Sequence, residues 1–235
     1  MIFPGWLKMK CVILISLMCW LLSVPVMALE PPLTGGIPAT LPNLKVNAEH
    51  QVVGTLIDVQ FLPCFHQALK QPVSWKSYPT ARLIQQVRNN KLDMIFPMGF
   101  TSERKAQLIQ SAPVQVTRDY WVYTHALPNL QNKSLTVGVK LGSPQASYVQ
   151  SQGYQSVIFH NNYAGLLNML LAGRVELIAL PDLVYEALTS QYSEKSIYFK
   201  MYLQRDYGFY LKPATKPAQI KRINQAIKAC RIEWI

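Results

Sequence analysis

The sequence predicts an α/β protein built as two similar lobes, and three observations carry that reading. One pattern occurs twice, as Leu83-Ile-Gln-Gln-Val-Arg-Asn-Asn-Lys-Leu-Asp-Met-Ile-Phe96 and as Leu166-Leu-Asn-Met-Leu-Leu-Ala-Gly-Arg-Val-Glu-Leu-Ile-Ala179. Each copy is an apolar helix that stops at a residue tolerant of the left-handed conformation, Asn90 in one and Gly173 in the other. A cation follows (Lys91, Arg174), then a hydrophobic residue, an acid (Asp93, Glu176) and a buried-type strand. A helix stopped in this way and followed at once by an apolar run is half of a βαβ unit. Finally, the chain beyond residue 28 is long enough for two lobes of about 100 residues each.

Taken in order, the chain opens with a targeting signal. Lys8 and Lys10 form a basic start, Cys11 to Leu22 is apolar apart from Ser16, and Val26-Met27-Ala28 supplies small residues for cleavage. Residues 1–28 are therefore expected to leave an exported, periplasmic protein. The alternative, an uncleaved anchor, meets an apolar run that is short for a membrane span. Residues 29–48, rich in Pro and Gly, read as an irregular lead-in. A helix is expected from about Gly54 to Lys70 with Pro63 interrupting it, then a strand over 73–77. The first copy of the repeat supplies a helix from Pro79 to Arg88 and a strand from Met94 to Met98, and a short helix begins at Thr101.

Tyr120-Trp-Val-Tyr-Thr-His125 alternates like a strand and leads to a crossover at Leu127-Pro128. The second lobe then brings the strand Leu135–Val139, a turn at Gly142-Ser143-Pro144-Gln145 into a helix, the strand Ser156–Phe159 and the second copy of the repeat. A helix from Pro181 to Leu188, a return strand Tyr207–Leu211 and an amphipathic helix from Pro217 to Ile232 complete the chain. The expected organisation is residues 29–125 with 208–235 as one lobe and 126–207 as the other.

The formal charge is +11, and strong basicity suits an anionic ligand, an anionic surface or simply a solvated basic exterior. Nucleic acid is not expected, because an exported chain carries no recognised binding motif for it. No Cys/His spacing forms a metal site, and no cofactor is implied. Cys64 and Cys230 remain after export; they either pair, as an oxidising compartment allows, or stand as two separate buried thiols.

The motif Leu92-Asp-Met-Ile-Phe-Pro-Met-Gly-Phe-Thr-Ser-Glu-Arg104, followed by Ser111-Ala-Pro113, resembles the first-lobe signature of family 3 extracellular solute-binding proteins. Val137-Gly-Val-Lys-Leu-Gly-Ser143 and Gly173-Arg-Val-Glu-Leu-Ile-Ala-Leu-Pro-Asp182 are similar to the second-lobe signature. The ordered match runs from residue 50 to about 230. It implies the type II periplasmic-binding-protein fold, two α/β lobes joined by two crossover strands, in a monomer. The function implied is capture of a small anionic or zwitterionic, amino-acid-like ligand by hinge closure, for an ABC importer or a membrane sensor.

The same resemblance names the site. Arg104 matches the arginine that grips a ligand carboxylate, with Gly99 beside it. Ser143 and Gln145 stand at the turn that faces it from the other lobe, and Asp182 matches the acid that holds a ligand amino group. Each residue also has a local reading. Thr101 is a good N-cap, which puts Arg104 in the first helical turn against the helix dipole, so this cation needs another partner: a ligand or a surface carboxylate. Ser143 with Pro144 at the first helical position is ordinary capping as well as an anion-binding turn, and Asp182 could be only a cap. The chain departs from the family at residues 31–43, which hold no aromatic residue to stack on a ligand; Trp75, Tyr78, Tyr120 and Trp121 are candidate replacements. Two rivals follow: an enzyme on the same fold, resembling the cyclohexadienyl dehydratases, with Asp182, Glu103 or Asp119 as its acid or base, and a homologue that has kept the fold but lost binding.

Overall fold

The computed structural model describes residues 30–41, 44–54, 57–189 and 197–231; the expected targeting segment and its cleavage point lie outside them. Two parallel three-stranded units of the same design organise the protein. In the first, β1 (Leu33–Pro38) lies between β4 (Val73–Tyr78) and β5 (Met94–Gly99). In the second, β7 (Thr136–Lys140) lies between β8 (Ser156–His160) and β9 (Leu177–Pro181). The helices are α1 (Ile57–Leu69) and α2 (Thr80–Arg88) in the first unit, with the short α3 (Ser102–Lys105) after β5. Those of the second are α4 (Pro144–Ser151), α5 (Tyr163–Leu171) and α6 (Asp182–Thr189). The strand β2 (Leu44–Val46) pairs with β3 (Val52–Gly54) in a separate ribbon, and α7 (Pro217–Cys230) closes the chain.

The repeated helix-stop-strand pattern is reproduced to the level of single hydrogen bonds. Asn90 and Gly173 both adopt positive φ, 56° and 67°. Asp93 N donates to Thr34 O while its carboxylate accepts from Thr34 N at 2.7 Å. Glu176 N donates to Thr136 O, and its carboxylate accepts from Thr136 N at 2.8 Å. In both units the acid at the start of the third strand thus caps the free amide of the first, an N–H that would otherwise lack a partner at the sheet's end.

Two long antiparallel strands, β6 (Ile109–Tyr123) and β10 (Tyr198–Leu211), join the units. Because β10 also pairs with β5 and β6 with β9, the hydrogen-bond ladder runs unbroken through eight strands in the order β4-β1-β5-β10-β6-β9-β7-β8. Sequence reading placed only the ends of these strands, 120–125 and 207–211. Their other halves carry Ser111-Ala-Pro113 and a polar, alternating run that hides the periodicity. The lobed architecture is nonetheless plain in the packing. Buried clusters around Phe65, Phe96 and Phe209 and around Leu83, Ile95 and Tyr210 serve the first unit. Those around Leu166 and Ile178 and around Val137 and Leu177 serve the second.

Three further expectations are corrected. The lead-in contains the central strand β1, because Gly35 and Gly36 allow an approach no side chain would. A Cβ on Gly35 would lie 2.5 Å from the Trp75 ring, and one on Gly36 would lie 2.5 Å from Leu83. Trp75 itself is fully buried and Trp121 is 3 % exposed, so both are core rather than a ligand platform. Pro63 does not break α1, which runs through it. Gly35→Ala is expected to lower stability by about 1–3 kcal/mol through overpacking, read as a drop in melting temperature; an unchanged melt would mean the Trp75 ring has room to yield.

Cys64 and Cys230 form a disulfide, with Cα atoms 5.7 Å apart, tying α1 to α7. Of the two readings left open by the sequence, pairing is the one observed. The two helices also share the aromatic-rich core, through Phe61, Phe65 and Leu69 on one and Ile223 and Ile227 on the other.

Candidate functional site

The C-terminal ends of the parallel strands of both units face one another, the place where open α/β sheets bind ligands. They enclose a cavity of about 80 Å³. The first unit contributes Thr80 at the start of α2, Gly99 at the end of β5 and Arg104 on α3. The second contributes Lys140 at the end of β7, Ser143 and Gln145 at the start of α4, and Tyr163 on α5. The long strands add Thr117, Arg205 and Tyr207.

Arg104 is placed by its helix start: Thr101 Oγ1 accepts from Arg104 N, and Thr101 N donates to Tyr210 Oη. Its guanidinium is buried, and burial lowers its pKa to about 10, so it stays charged at neutral pH. Nη1 donates to Gly99 O and Nη2 to Gly142 O, both at 2.8 Å, so one side chain ties the two units together. Gly142, at φ 70°, adopts a backbone conformation that a side chain would strain. Where the sequence offered a surface ion pair or a ligand, the hydrogen-bond partners seen are two neutral carbonyls; Glu103 acts on the charge only at a distance, and among the described residues no carboxylate forms an ion pair with it.

Lys140 is the second unanswered cation. It is 4 % exposed; Nζ donates to Thr80 Oγ1 at 3.0 Å and sits 5.6 Å from the Tyr163 ring centre. Burial, reinforced by the charge of Arg104, lowers its pKa to about 8. The third cation, Arg205, is matched: its guanidinium clasps Asp119, Nε donating at 2.7 Å, and the salt bridge is fully buried on the Asp119 side. Gln145 Nε2 donates to the other oxygen of Asp119 at 2.6 Å, while Gln145 Oε1 is buried without a partner. Burial raises the pKa of Asp119 against the opposing pull of Arg205, and it raises that of the Tyr163 phenol.

The structure therefore brings Arg104, Gly99, Ser143 and Gln145 around one cavity. Ser143 caps α4, its hydroxyl accepting from Ala146 N. Asp182 is not among the lining residues. Its oxygens accept from Thr117 Oγ1, Leu183 N and Arg118 N, so it caps α6 and pins that helix to β6. Among the described residues no three His, Cys, Asp or Glu side chains gather to hold a metal ion, and no helix is long and apolar enough to cross a membrane. Sequence reasoning passed over Lys140, Thr80, Thr117, Tyr163 and Arg205. Only Lys140 carried a signal, a cation closing an apolar strand one turn before Ser143.

Lys140 also tests the electrostatics without any ligand. Between pH 8 and the ordinary lysine value near 10.5, the unfolded chain holds a proton that the folded chain has lost, so stability from this group rises with pH across that window. Below it the burial penalty is complete. Lys140→Met is expected to raise the stability of the ligand-free protein at pH 7 by roughly 2–3 kcal/mol, seen in chemical denaturation. A loss of stability would mean that the Thr80 contact outweighs the cost of burial.

No protein-family model and no curated protein sequence matches the chain. Solved structures do. An ancestral arginine-binding protein bound to arginine is 22 % identical, covers 85 % of this chain and 92 % of its own, and superposes with a TM-score of 0.72. The arginine-, lysine-, histidine-binding protein ArtJ from the thermophilic bacterium Geobacillus stearothermophilus gives 16 %, 84 %, 88 % and 0.72 for the same quantities. A histidine kinase sensor domain with similarity to periplasmic binding proteins gives 11 %, 84 %, 89 % and 0.72. At these identities the likeness is one of fold, and with the paired 2-1-3 strand orders it gives this chain the two-lobed α/β fold of type II periplasmic binding proteins.

Proposed function

We propose that the chain is an exported solute-binding protein that closes its two lobes on a small carboxylate-bearing ligand. The observation that carries this reading is the composition of the cavity wall. It has three cations, drawn from both units, and no carboxylate among the described lining residues. We place the lobe boundaries near residues 125 and 207, towards opposite ends of the paired strands that join the units, so that bending the β6–β10 ribbon opens and closes the cavity. Ligand stabilises the closed form through contacts that exist only there: Arg104 and Gly99 from one side, Ser143, Gln145 and Lys140 from the other. The disulfide supports export, since such bonds persist in oxidising compartments. Delivery to an ABC importer and signalling to a membrane receptor both fit this mechanism.

Binding rather than turnover is favoured because the carboxylates close to the cavity, Asp119 and Asp182, have both oxygens engaged. Neither carboxylate lies among the residues lining the cavity, where a general acid or base would have to meet its substrate. The test is a thermal-shift and calorimetric screen against amino acids and small carboxylates. A ligand at about a hundred times its Kd should add about 2.7 kcal/mol of stability. No shift with any compound, or product formation from prephenate or arogenate, would replace this reading.

A further inference from the structure

We infer that the ligand is a small dicarboxylate without an amino group, one carboxylate answering Arg104 and the other Lys140. This rests on the binding reading above and narrows it by counting charge. Arg205 is matched by Asp119, which leaves Arg104 and Lys140 as two buried cations, 6 % and 4 % exposed, one on each side of the cavity. Their partners are uncharged: two backbone carbonyls for Arg104, and a hydroxyl with an aromatic face for Lys140. Buried charges without a counter-charge are costly, so the occupant that best favours closure carries two negative charges. Both cations keep free N–H groups, three of five on Arg104 and two of three on Lys140.

An α-amino acid fits this wall poorly. Its ammonium would add a third unmatched positive charge, and among the described residues no carboxylate lines the cavity to receive it. Asp119 gives one oxygen to Arg205 and the other to Gln145, and Asp182 is spent on Thr117, Leu183 and Arg118 outside the cavity. Gln145 Oε1 is an unpartnered acceptor, but a neutral one; it suits a ligand hydroxyl and offsets no charge. Size limits either class of ligand. At about 80 Å³ the cavity is far below the roughly 300–1,000 Å³ of pockets for drug-sized molecules, so the occupant has a handful of heavy atoms.

Calorimetry on the purified chain should compare malonate, succinate and malate with acetate, glycine, alanine and arginine, and with sulfate and phosphate as inorganic dianions. The expected result is that a dicarboxylate binds at least tenfold tighter than any monocarboxylate or zwitterion. Lys140→Met should then weaken the dicarboxylate by about thirtyfold or more and so remove its advantage over acetate. Folding is checked by denaturation, where this variant is expected to be at least as stable as the parent. Tighter binding of an amino acid or monocarboxylate would overturn the inference and leave the solute-binding reading standing. So would an undiminished dicarboxylate affinity in Lys140→Met. Sulfate or phosphate binding with no dicarboxylate binding would assign the site to an inorganic dianion instead. If nothing in the panel binds, the inference falls, and the solute-binding reading is decided by its own wider screen.

Discussion

Replacing both cysteines, as Cys64→Ala with Cys230→Ala, is expected to lower the unfolding free energy by about 4–5 kcal/mol, near the top of the range for a disulfide. The bond spans 166 residues of sequence. In the chain-entropy account a loop of that length removes a large number of unfolded conformations, and the loss grows only slowly beyond about 100 residues. For a chain of this size the melting temperature should fall by about 8–20 °C. Reductant should reproduce the effect in the parent, since Cys64 lies on the exposed side of α1 although Cys230 is 7 % exposed. The packing of Ile223 and Ile227 against Phe61 and Phe65 is untouched by the substitution. An unchanged melt would therefore show that this shared core alone holds α7, with the bond adding nothing.

Arg104→Ala is expected to reduce ligand affinity by about 2–4 kcal/mol, roughly thirty- to a thousandfold. The variant loses a charge-assisted contact to the ligand and leaves the anion partly unpaired in a dry cavity. It also loses the bridge from Gly99 O to Gly142 O, so the empty variant should be more open in solution scattering. Stability without ligand should change little, because two bonds to carbonyls worth about 1 kcal/mol each are offset by relief from burying an unmatched cation. Arg104→Lys should recover only part of the affinity, since an ammonium cannot span two carbonyls and a carboxylate together. Titration of both variants with the tightest carboxylate of the panel decides the matter. Unchanged affinity with a clear loss of stability would make Arg104 a structural bridge only.

The sequence made the halves of this fold legible where a local cause set the conformation. Asn90 and Gly173 stop their helices by their own backbone preference, and Asp93 and Glu176 follow at a fixed offset, so the repeat survives in the text. Arg104, Gly99, Ser143 and Gln145 were legible for the same reason, being tied to a strand end and a capping turn. Arg205 was not, because its role comes from lying diagonally across two strands from Asp119, a relation fixed only by the register of β10 on β6. Nor was β1, whose two glycines read as loop until Trp75 and Leu83 are seen pressed against them. Asp182 shows the opposite limit, where a cap to α6 and a latch on β6 occupy the group the motif suggested for a ligand.

The paired strands β6 and β10 also bear on how such a protein can drift over generations. Thr117 and Asp119 on one strand, and Arg205 and Tyr207 on the other, stand at the floor of the cavity or just behind it. Side chains alternate faces where the register is regular, as it is between 115–119 and 203–207, so deleting or inserting one residue there would turn the following floor residues over. Such an event would swap the cavity floor for the outer face and misalign two lobes in one step. Change in 115–119 and 203–207 is thus confined to substitutions, while the exposed turn around residues 129–132 is free to lengthen or shorten. Lineages of this fold should differ in their loops by length, and at the centre of this ribbon only by letter.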